Sequence, residues 1–83
     1  MARKIAWTDR ARADIRALDR QTAMVIFDGL YRYATTGEGS VKILKGEHAG
    51  RSRLRVGDYR VFFRETGEIL RILQVRHRRE AYR

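Results

Sequence analysis

The sequence predicts an α+β domain in which a two-helix hairpin packs on one face of a mostly antiparallel four-stranded sheet. In the last third, breaks at Gly57-Asp58 and Thr66-Gly67 separate runs rich in Val, Ile, Phe and Tyr, which is typical of a meander of short strands. In the first half, apolar residues recur at helical spacing. We therefore predict the order β-α-α-β-β-β and a short C-terminal helical tail, with residues 1–83 forming a single domain.

The first half is predicted to hold one strand and two helices. Residues 3–7 form the strand, and Thr8 is positioned to cap the first helix. Asp19 breaks that helix and caps a second one, which ends near Gly37. Residues 37–50 are rich in glycine and are predicted to be a linker. The apolar positions that define the two helices are Ala11, Ile15 and Leu18, then Ala23, Phe27, Leu30 and Ala34.

The two turns predict a strand register. A loop at Gly57-Asp58 sets Arg55 opposite Arg60, and a loop at Thr66-Gly67 sets Phe62 opposite Arg71. Because side chains alternate between the faces of a sheet, one face becomes apolar and the other basic. The predicted core face carries Leu54, Val56, Tyr59, Val61, Phe63, Leu70 and Ile72. The predicted arginine face carries Arg51, Arg53, Arg55, Arg60, Phe62, Arg64, Arg71 and His77.

Charge indicates an acidic partner. The chain has a formal net charge of +9, and residues 51–83 hold ten Lys or Arg against four Asp or Glu. Like charges directly opposite each other destabilise a sheet, so an arginine-rich face favours a polyanion such as nucleic acid. A solvated basic face is the alternative that charge by itself leaves open.

Composition argues against several other classes of protein. The chain has no cysteine, so it has neither disulfides nor thiolate chemistry. His48 and His77 are too few to make a metal site, and we expect no cofactor. No stretch is apolar enough to span a membrane or to serve as a signal sequence, so we expect a cytoplasmic protein.

Three motifs resemble the RelE/ParE superfamily of bacterial toxins. They are LKG at 44–46, RLRVGDYRVFF at 53–63 and the tail HRREAYR at 77–83, and the match is denser after residue 44 than before it. The resemblance is to RelE-type toxins of type II toxin–antitoxin modules. It implies a metal-free, ribosome-dependent endoribonuclease, or mRNA interferase, that cuts mRNA in the ribosomal A site by attack of the ribose 2′-hydroxyl. It also implies a cognate acidic antitoxin as partner.

The resemblance also implies roles for individual residues. Arg60 and Arg78 match arginines of the family's strand and tail motifs, Tyr82 matches the tail tyrosine, and His77 lies where many members have a histidine. The predicted catalytic residues are therefore Arg60, His77, Arg78 and Tyr82. The predicted phosphate-binding residues are Arg51, Arg53, Arg55 and Arg71.

The sequence departs from the family pattern at two places. Arg51 and Arg53 stand where the best-known members carry lysines, and arginine does not give up its proton readily enough to act as a general base. His77 is therefore the predicted proton acceptor, because the reference pKa of histidine, about 6.5, suits that task. A glycine common just before the tail histidine is Arg76 here.

Two alternatives remain at this stage. One is a ParE-like protein that keeps the fold and inhibits DNA gyrase without cutting RNA, and the other is an RNA-binding module without catalysis. The role of Phe62 also has two alternatives, because the residue is either a stacking platform for a base or part of an antitoxin-binding groove. The ordered His77, Arg78 and Tyr82 of the tail favour the nuclease.

Overall fold

The computed structural model describes residues 2–81, except for the side chain of His48, and forms one five-stranded sheet with two α-helices. The spatial order is β1-β5-β4-β3-β2. β1 runs parallel to β5, and the other neighbouring pairs are antiparallel. The elements in chain order are β1 (Lys4–Trp7), α1 (Asp9–Arg16), α2 (Arg20–Thr36), β2 (Ser40–Ile43), a 3₁₀ turn (Gly46–His48), β3 (Ser52–Val56), β4 (Tyr59–Thr66) and β5 (Ile69–His77).

The helix boundaries follow the capping residues that the sequence predicts. The Thr8 side chain accepts a hydrogen bond from the Ala11 N–H, and the Asp19 carboxylate accepts one from the Thr22 N–H. α2 ends at Gly37, whose φ of 78° lies in the left-handed region that glycine adopts without strain. All three predicted boundaries are confirmed.

The core lies between the helices and one face of the sheet. The core residues of α2 differ from the prediction at one position. Ile26 is buried in the core, whereas the predicted Phe27 packs edge-on against Trp7. The strands supply the predicted core face. The fully buried large side chains are Phe63, Ile26, Leu30, Leu54, Leu70, Ile72 and Val61.

The prediction of four strands is wrong, because the predicted linker contains a fifth. Residues Ser40–Ile43 pair antiparallel with β3 and form an edge of the sheet. This strand has only four residues, so it offers few positions for an alternating pattern of apolar and polar side chains. Its Ile43 is 72% exposed and therefore does not mark a buried face. The short length and the flanking glycines explain why the sequence pattern resembles a loop.

The first predicted hairpin is confirmed, and the second is shifted. Arg55 lies opposite Arg60 as expected, but the second turn is Gly67-Glu68, which sets Thr66 opposite Ile69. Both turns begin with glycine at positive φ, 58° at Gly57 and 59° at Gly67. Positive φ is confined to glycine among the described residues, which fits the type II′ turn with glycine at its first central position, so Gly67 begins the turn rather than ending it.

A bulge in β5 changes the faces of the residues that follow it. Phe63 lies opposite Ile72 and Phe62 lies opposite Gln74, so Leu73 is the extra residue. Strict alternation after Ile72 would leave His77 on the arginine face, and that prediction is wrong. Past the bulge, Val75 lies in the core, Arg76 lies opposite Arg60, and His77 lies opposite Tyr59.

The described part of the tail forms turns, so the predicted C-terminal helix is not found within residues 78–81. The N–H groups of Glu80 and Ala81 both donate to the His77 carbonyl. Neither described helix combines the length and apolar character needed to cross a membrane.

Asp14 of α1 accepts a hydrogen bond from the backbone of β5 just after the bulge, and removal of the Asp14 carboxylate should destabilise the fold. Its carboxylate accepts a hydrogen bond of 2.9 Å from the Val75 N–H in a part-buried position. An orphaned donor costs about 1–3 kcal/mol, so we expect Asp14→Ala to lower the free energy of unfolding by that amount and Asp14→Asn to lose less. Urea unfolding measures both changes. The control is Asp28→Ala on exposed α2 surface, expected within about 0.5 kcal/mol of wild type. Equal stability of Asp14→Ala and the control would contradict this role of Asp14.

Candidate nucleic-acid interface

The face of the sheet opposite the helices is basic, and we call it the open face. None of its strand positions, all of which are described, carries Asp or Glu. Because every strand contributes at least one cation, the charge extends across the whole sheet. The basic residues of the open face are Lys4, Lys42, Arg53, Arg55, Arg60, Arg64, Arg71 and Arg76.

Arg60 is the buried charge of this face. It is 7% exposed, and its Nη1 donates hydrogen bonds of 3.0 Å to the carbonyl oxygens of both Gly57 and Tyr59. No salt bridge within residues 2–81 includes it. The carbonyls hold the guanidinium in place while leaving its positive charge uncancelled, which is the state that suits an anion-binding group.

Three arginines form a row across three neighbouring strands. Arg60 on β4 lies directly opposite Arg55 on β3 and directly opposite Arg76 on β5, and we call the three the arginine row. Ser40 continues the row on β2. Like charges facing each other across strands oppose pairing, so the row costs stability while no anion is bound.

Phe62 lies in the adjacent row, with Arg53 and Gln74 opposite it rather than the predicted Arg71. It is 7% exposed although the helices lie on the other face. An aromatic ring this deeply covered offers little surface for stacking until its neighbours move. Both predicted roles, base stacking and antitoxin contact, stay predictions.

Arg78 docks onto the turn that also holds Arg60. Its N–H donates to the Asp58 carbonyl at 2.7 Å, and its Nε lies 3.7 Å from Asp58 Oδ1. Since Arg60 donates to the carbonyl of Gly57, the residue before Asp58, both predicted catalytic arginines contact the same turn. The Arg78 side chain is 54% exposed, so its ion pair with Asp58 is weak and open to exchange.

His77 lies on the helix side of the sheet end, away from the arginine row. Its ring packs edge-on against Tyr59, with centroids 5.3 Å apart, and its Nδ1 accepts a hydrogen bond of 3.2 Å from the Arg79 N–H. A neutral imidazole that accepts at Nδ1 carries its proton on Nε2. The nitrogen with a lone pair is therefore already engaged, which disfavours His77 as the proton acceptor in this conformation.

The remaining predicted residues are dispersed. Arg51 precedes β3, half-buried, and its carbonyl accepts from the Leu44 N–H. Arg71 faces Arg64 in a separate pair at the far end of the open face. Tyr82 lies outside the described residues.

Two pKa shifts arise on the helix side rather than on the open face. Hydrogen bonds from the Thr22 hydroxyl and N–H lower the pKa of the Asp19 carboxyl. Burial, followed by the charge of Glu65, raises the pKa of the Tyr33 phenol. Tyr33 and Arg3 both bind Glu65, at 3.2 Å and 2.6 Å, and so join α2, the start of β1 and the end of β4. Both pKa shifts therefore arise at contacts that hold elements of the fold together, not at the open face.

Sequence reasoning missed Arg76 and Lys42 as members of the open face. Lys42 was missed together with β2, and Arg76 was missed because the bulge reverses the alternation on which face prediction depends. A surplus apolar residue, Leu73 directly after Ile72, is a sequence signal of the irregularity. It would have been hard to distinguish from an exposed leucine.

Comparisons with known proteins identify the class. The family model described as the ParE toxin of the type II toxin–antitoxin system parDE matches residues 5–82. The chain therefore belongs to this family and is a RelE/ParE superfamily toxin of a toxin–antitoxin system, as the motifs predict. A search of curated protein sequences finds no match.

Solved structures share the fold over nearly the whole chain. A chain of the RelBE2 toxin–antitoxin complex from Mycobacterium tuberculosis is 25% identical with a TM-score of 0.84, covering 93% of this chain and 92% of that one. The RelE–RelB complex from Pyrococcus horikoshii gives 18% identity and a TM-score of 0.77, with coverage of 96% and 99%. YafQ from E. coli gives 15% identity and a TM-score of 0.68, with coverage of 98% and 99%.

The His77 hydrogen bond predicts a specific tautomer. We expect the neutral ring to be protonated on Nε2, because Nδ1 accepts from the Arg79 N–H. Long-range ¹H–¹⁵N NMR of histidine-labelled protein distinguishes the tautomers, and a His48→Gln variant assigns the signals. An Nδ1-protonated His77 would show that the ring does not accept from the tail and would free Nε2 to act as a base.

Proposed function

We propose that the protein is a ribosome-dependent mRNA interferase that acts in the cytoplasm as the toxin of a toxin–antitoxin pair. The observation that carries the proposal is the arginine row together with Arg78, in which buried Arg60 is held by carbonyls instead of by a carboxylate. A protein whose open face only needed to be soluble would gain nothing from burying a cation there, because burial costs free energy unless the charge is compensated.

The proposed reaction is attack of the ribose 2′-hydroxyl on the adjacent phosphate. The bond from the 2′-oxygen to phosphorus forms as the bond from phosphorus to the 5′-oxygen breaks, which leaves a 2′,3′-cyclic phosphate and a 5′-hydroxyl, so one proton is taken from the 2′-hydroxyl and one is given to the leaving 5′-oxygen. The phosphorane transition state gains negative charge on its non-bridging oxygens, and Arg60 and Arg78 are proposed to stabilise that charge. Guanidinium suits the task because it remains charged and offers two parallel donors to phosphate. Exposed Arg55 and half-buried Arg53 in the adjacent row are proposed to bind flanking phosphates, with Arg51 and Arg71 as outer contacts.

The proton steps are assigned differently from the sequence prediction. His77 lies on the helix side, and its Nδ1 already accepts a hydrogen bond from the Arg79 N–H, so we propose that His77 positions the tail. We propose that Tyr82 carries the acid–base chemistry. His77 becomes a base only if the tail rearranges on the ribosome. The proposed steps assign no role to a metal ion. The described residues contain no cluster of three or more potential metal ligands.

A ParE-like inhibitor of DNA gyrase is the second candidate, and the family model that matches residues 5–82 favours it. Such a protein would use the same basic face to bind and would need neither ordered tail arginines nor transition-state stabilisation. The two candidates separate in one experiment. Primer extension on a translated mRNA after toxin induction detects cleavage, and a supercoiling assay with purified toxin detects gyrase inhibition.

For the interferase, we expect Arg78→Ala to abolish growth arrest and slow A-site cleavage about 10²–10³-fold, the typical loss of one donor to a developing oxyanion. Arg78 is exposed, so the variant should fold, and circular dichroism with a melting curve checks this. Arg60→Lys keeps the charge but loses bidentate geometry and should also lose most activity. The control is Arg20→Ala on α2. Wild-type cleavage by folded Arg78→Ala would refute its catalytic role.

We also propose an acidic antitoxin that covers the toxin. The structural neighbours include complexes of toxins with their antitoxins, such as DinJ–YafQ and YoeB–YefM. A partner that binds the folded toxin stabilises it by mass action, by about 2.7 kcal/mol at a hundredfold excess over the dissociation constant. Co-expression with the small acidic protein encoded beside the toxin should restore growth and raise its melting temperature. Failure of every adjacent small protein to do either would refute the partner.

A further inference from the structure

The β5 bulge introduces a cation that the family resemblance does not assign. Unbroken alternation from Ile72 would turn Arg76 toward the helices. Because Leu73 is the extra residue, Arg76 instead lies opposite Arg60 on the open face. Its position is set by the strand itself and by the Asp14 contact to the preceding residue, Val75.

We propose that Arg76 binds the phosphate backbone of single-stranded RNA and, with Arg55 and Arg60, forms one continuous phosphate subsite. The inference rests on the proposed function, since it names a further contact of the same site. Residues directly opposite in antiparallel strands have Cα atoms about 4.5–5.5 Å apart, so three guanidinium groups originate within a width of two strand spacings. Such density of donors matches an anion with several oxygens better than it matches single carboxylates.

Glu80 is the resident counter-ion of this subsite. Its Oε2 lies 3.7 Å from Arg76 Nη2, and its side chain is 55% exposed. An ion pair this long and this exposed contributes little, so a phosphate can displace the carboxylate. Glu80 would therefore compete only weakly with RNA for Arg76.

The test measures phosphate contacts without requiring catalysis. The probe is a short single-stranded 2′-O-methyl oligonucleotide, which lacks the attacking hydroxyl, and its affinity is measured against salt concentration. Each phosphate contact on a single strand adds about 0.7 to the slope of log affinity against log salt. We expect Arg76→Gln to lower that slope by about 0.7, Arg76→Lys to retain it and Glu80→Gln to raise the affinity.

Arg20→Gln on α2 makes the same change in net charge away from the open face and should leave the slope unchanged. Equal slopes for Arg76→Gln and Arg20→Gln, with both proteins folded, would overturn the proposal. Melting curves verify folding.

The assay also separates this inference from the proposed function. A lowered slope in a toxin that cuts no RNA on the ribosome would support the Arg76 subsite and overturn the interferase. Ribosome-dependent cleavage with an unchanged slope in Arg76→Gln would overturn only the subsite.

Discussion

The extra residue in β5 is the constraint on which the open face depends. β1 ends opposite Ile72, and beyond that point β5 has no strand on that side. α1 and its capping residue replace the missing partner. The Thr8 hydroxyl donates to the Ile72 and Leu73 carbonyls, and Asp14 accepts from the Val75 N–H. Since these groups pair the backbone on both sides of Leu73, the bulge is fixed by hydrogen bonds rather than tolerated as a defect.

That fixed bulge decides which side chains lie on the open face. It retains Val75 in the core, turns Arg76 toward Arg60 and turns His77 toward Tyr59. A β5 strand without the bulge would present His77 on the open face and bury Arg76 against the helices, where an unpaired guanidinium costs several kcal/mol. The helix that begins at Thr8 therefore determines the chemistry of a face that it does not touch.

Local rules predicted the parts of the fold whose signals lie within a few residues. The caps Thr8, Asp19 and Gly37 were found because each satisfies backbone groups of its own helix. The first hairpin was found because Gly57 specifies its turn. The second is shifted because a turn at Thr66-Gly67 would have glycine in the second place, whereas the chain has glycine first in both turns, at Gly57 and at Gly67. β2 and the bulge were missed because both depend on neighbours distant in the sequence.

The candidate site was predictable in its charge and only partly in its geometry. Arg55 and Arg60 share a hairpin, so their pairing followed from one turn. Arg78 could be assigned only through the motif, and its docking on Asp58 needs the tertiary fold. His77 illustrates the limit most clearly. A shift of one residue in one strand moves a side chain to the other face of the sheet. A prediction based on strict alternation therefore assigns the wrong face to the residues that follow a one-residue bulge.

The arginine row also affects the stability of the fold. Within the described residues, neither Arg55 nor Arg60 forms a salt bridge, and Arg76 pairs weakly with the exposed Glu80. A chain of 83 residues has a small core, and its margin of stability is correspondingly small. Arg60 is desolvated between two like charges, and its two hydrogen bonds to carbonyls recover only part of that cost. Neutral residues at Arg55 and Arg76 would remove the repulsion while keeping the strand pairing. The chain therefore forgoes stability at a row where a bound anion would restore it. Binding of a polyanion to the row is then coupled to folding stability, so the RNA and the acidic antitoxin segment that we propose as ligands would each stabilise the toxin on occupying it.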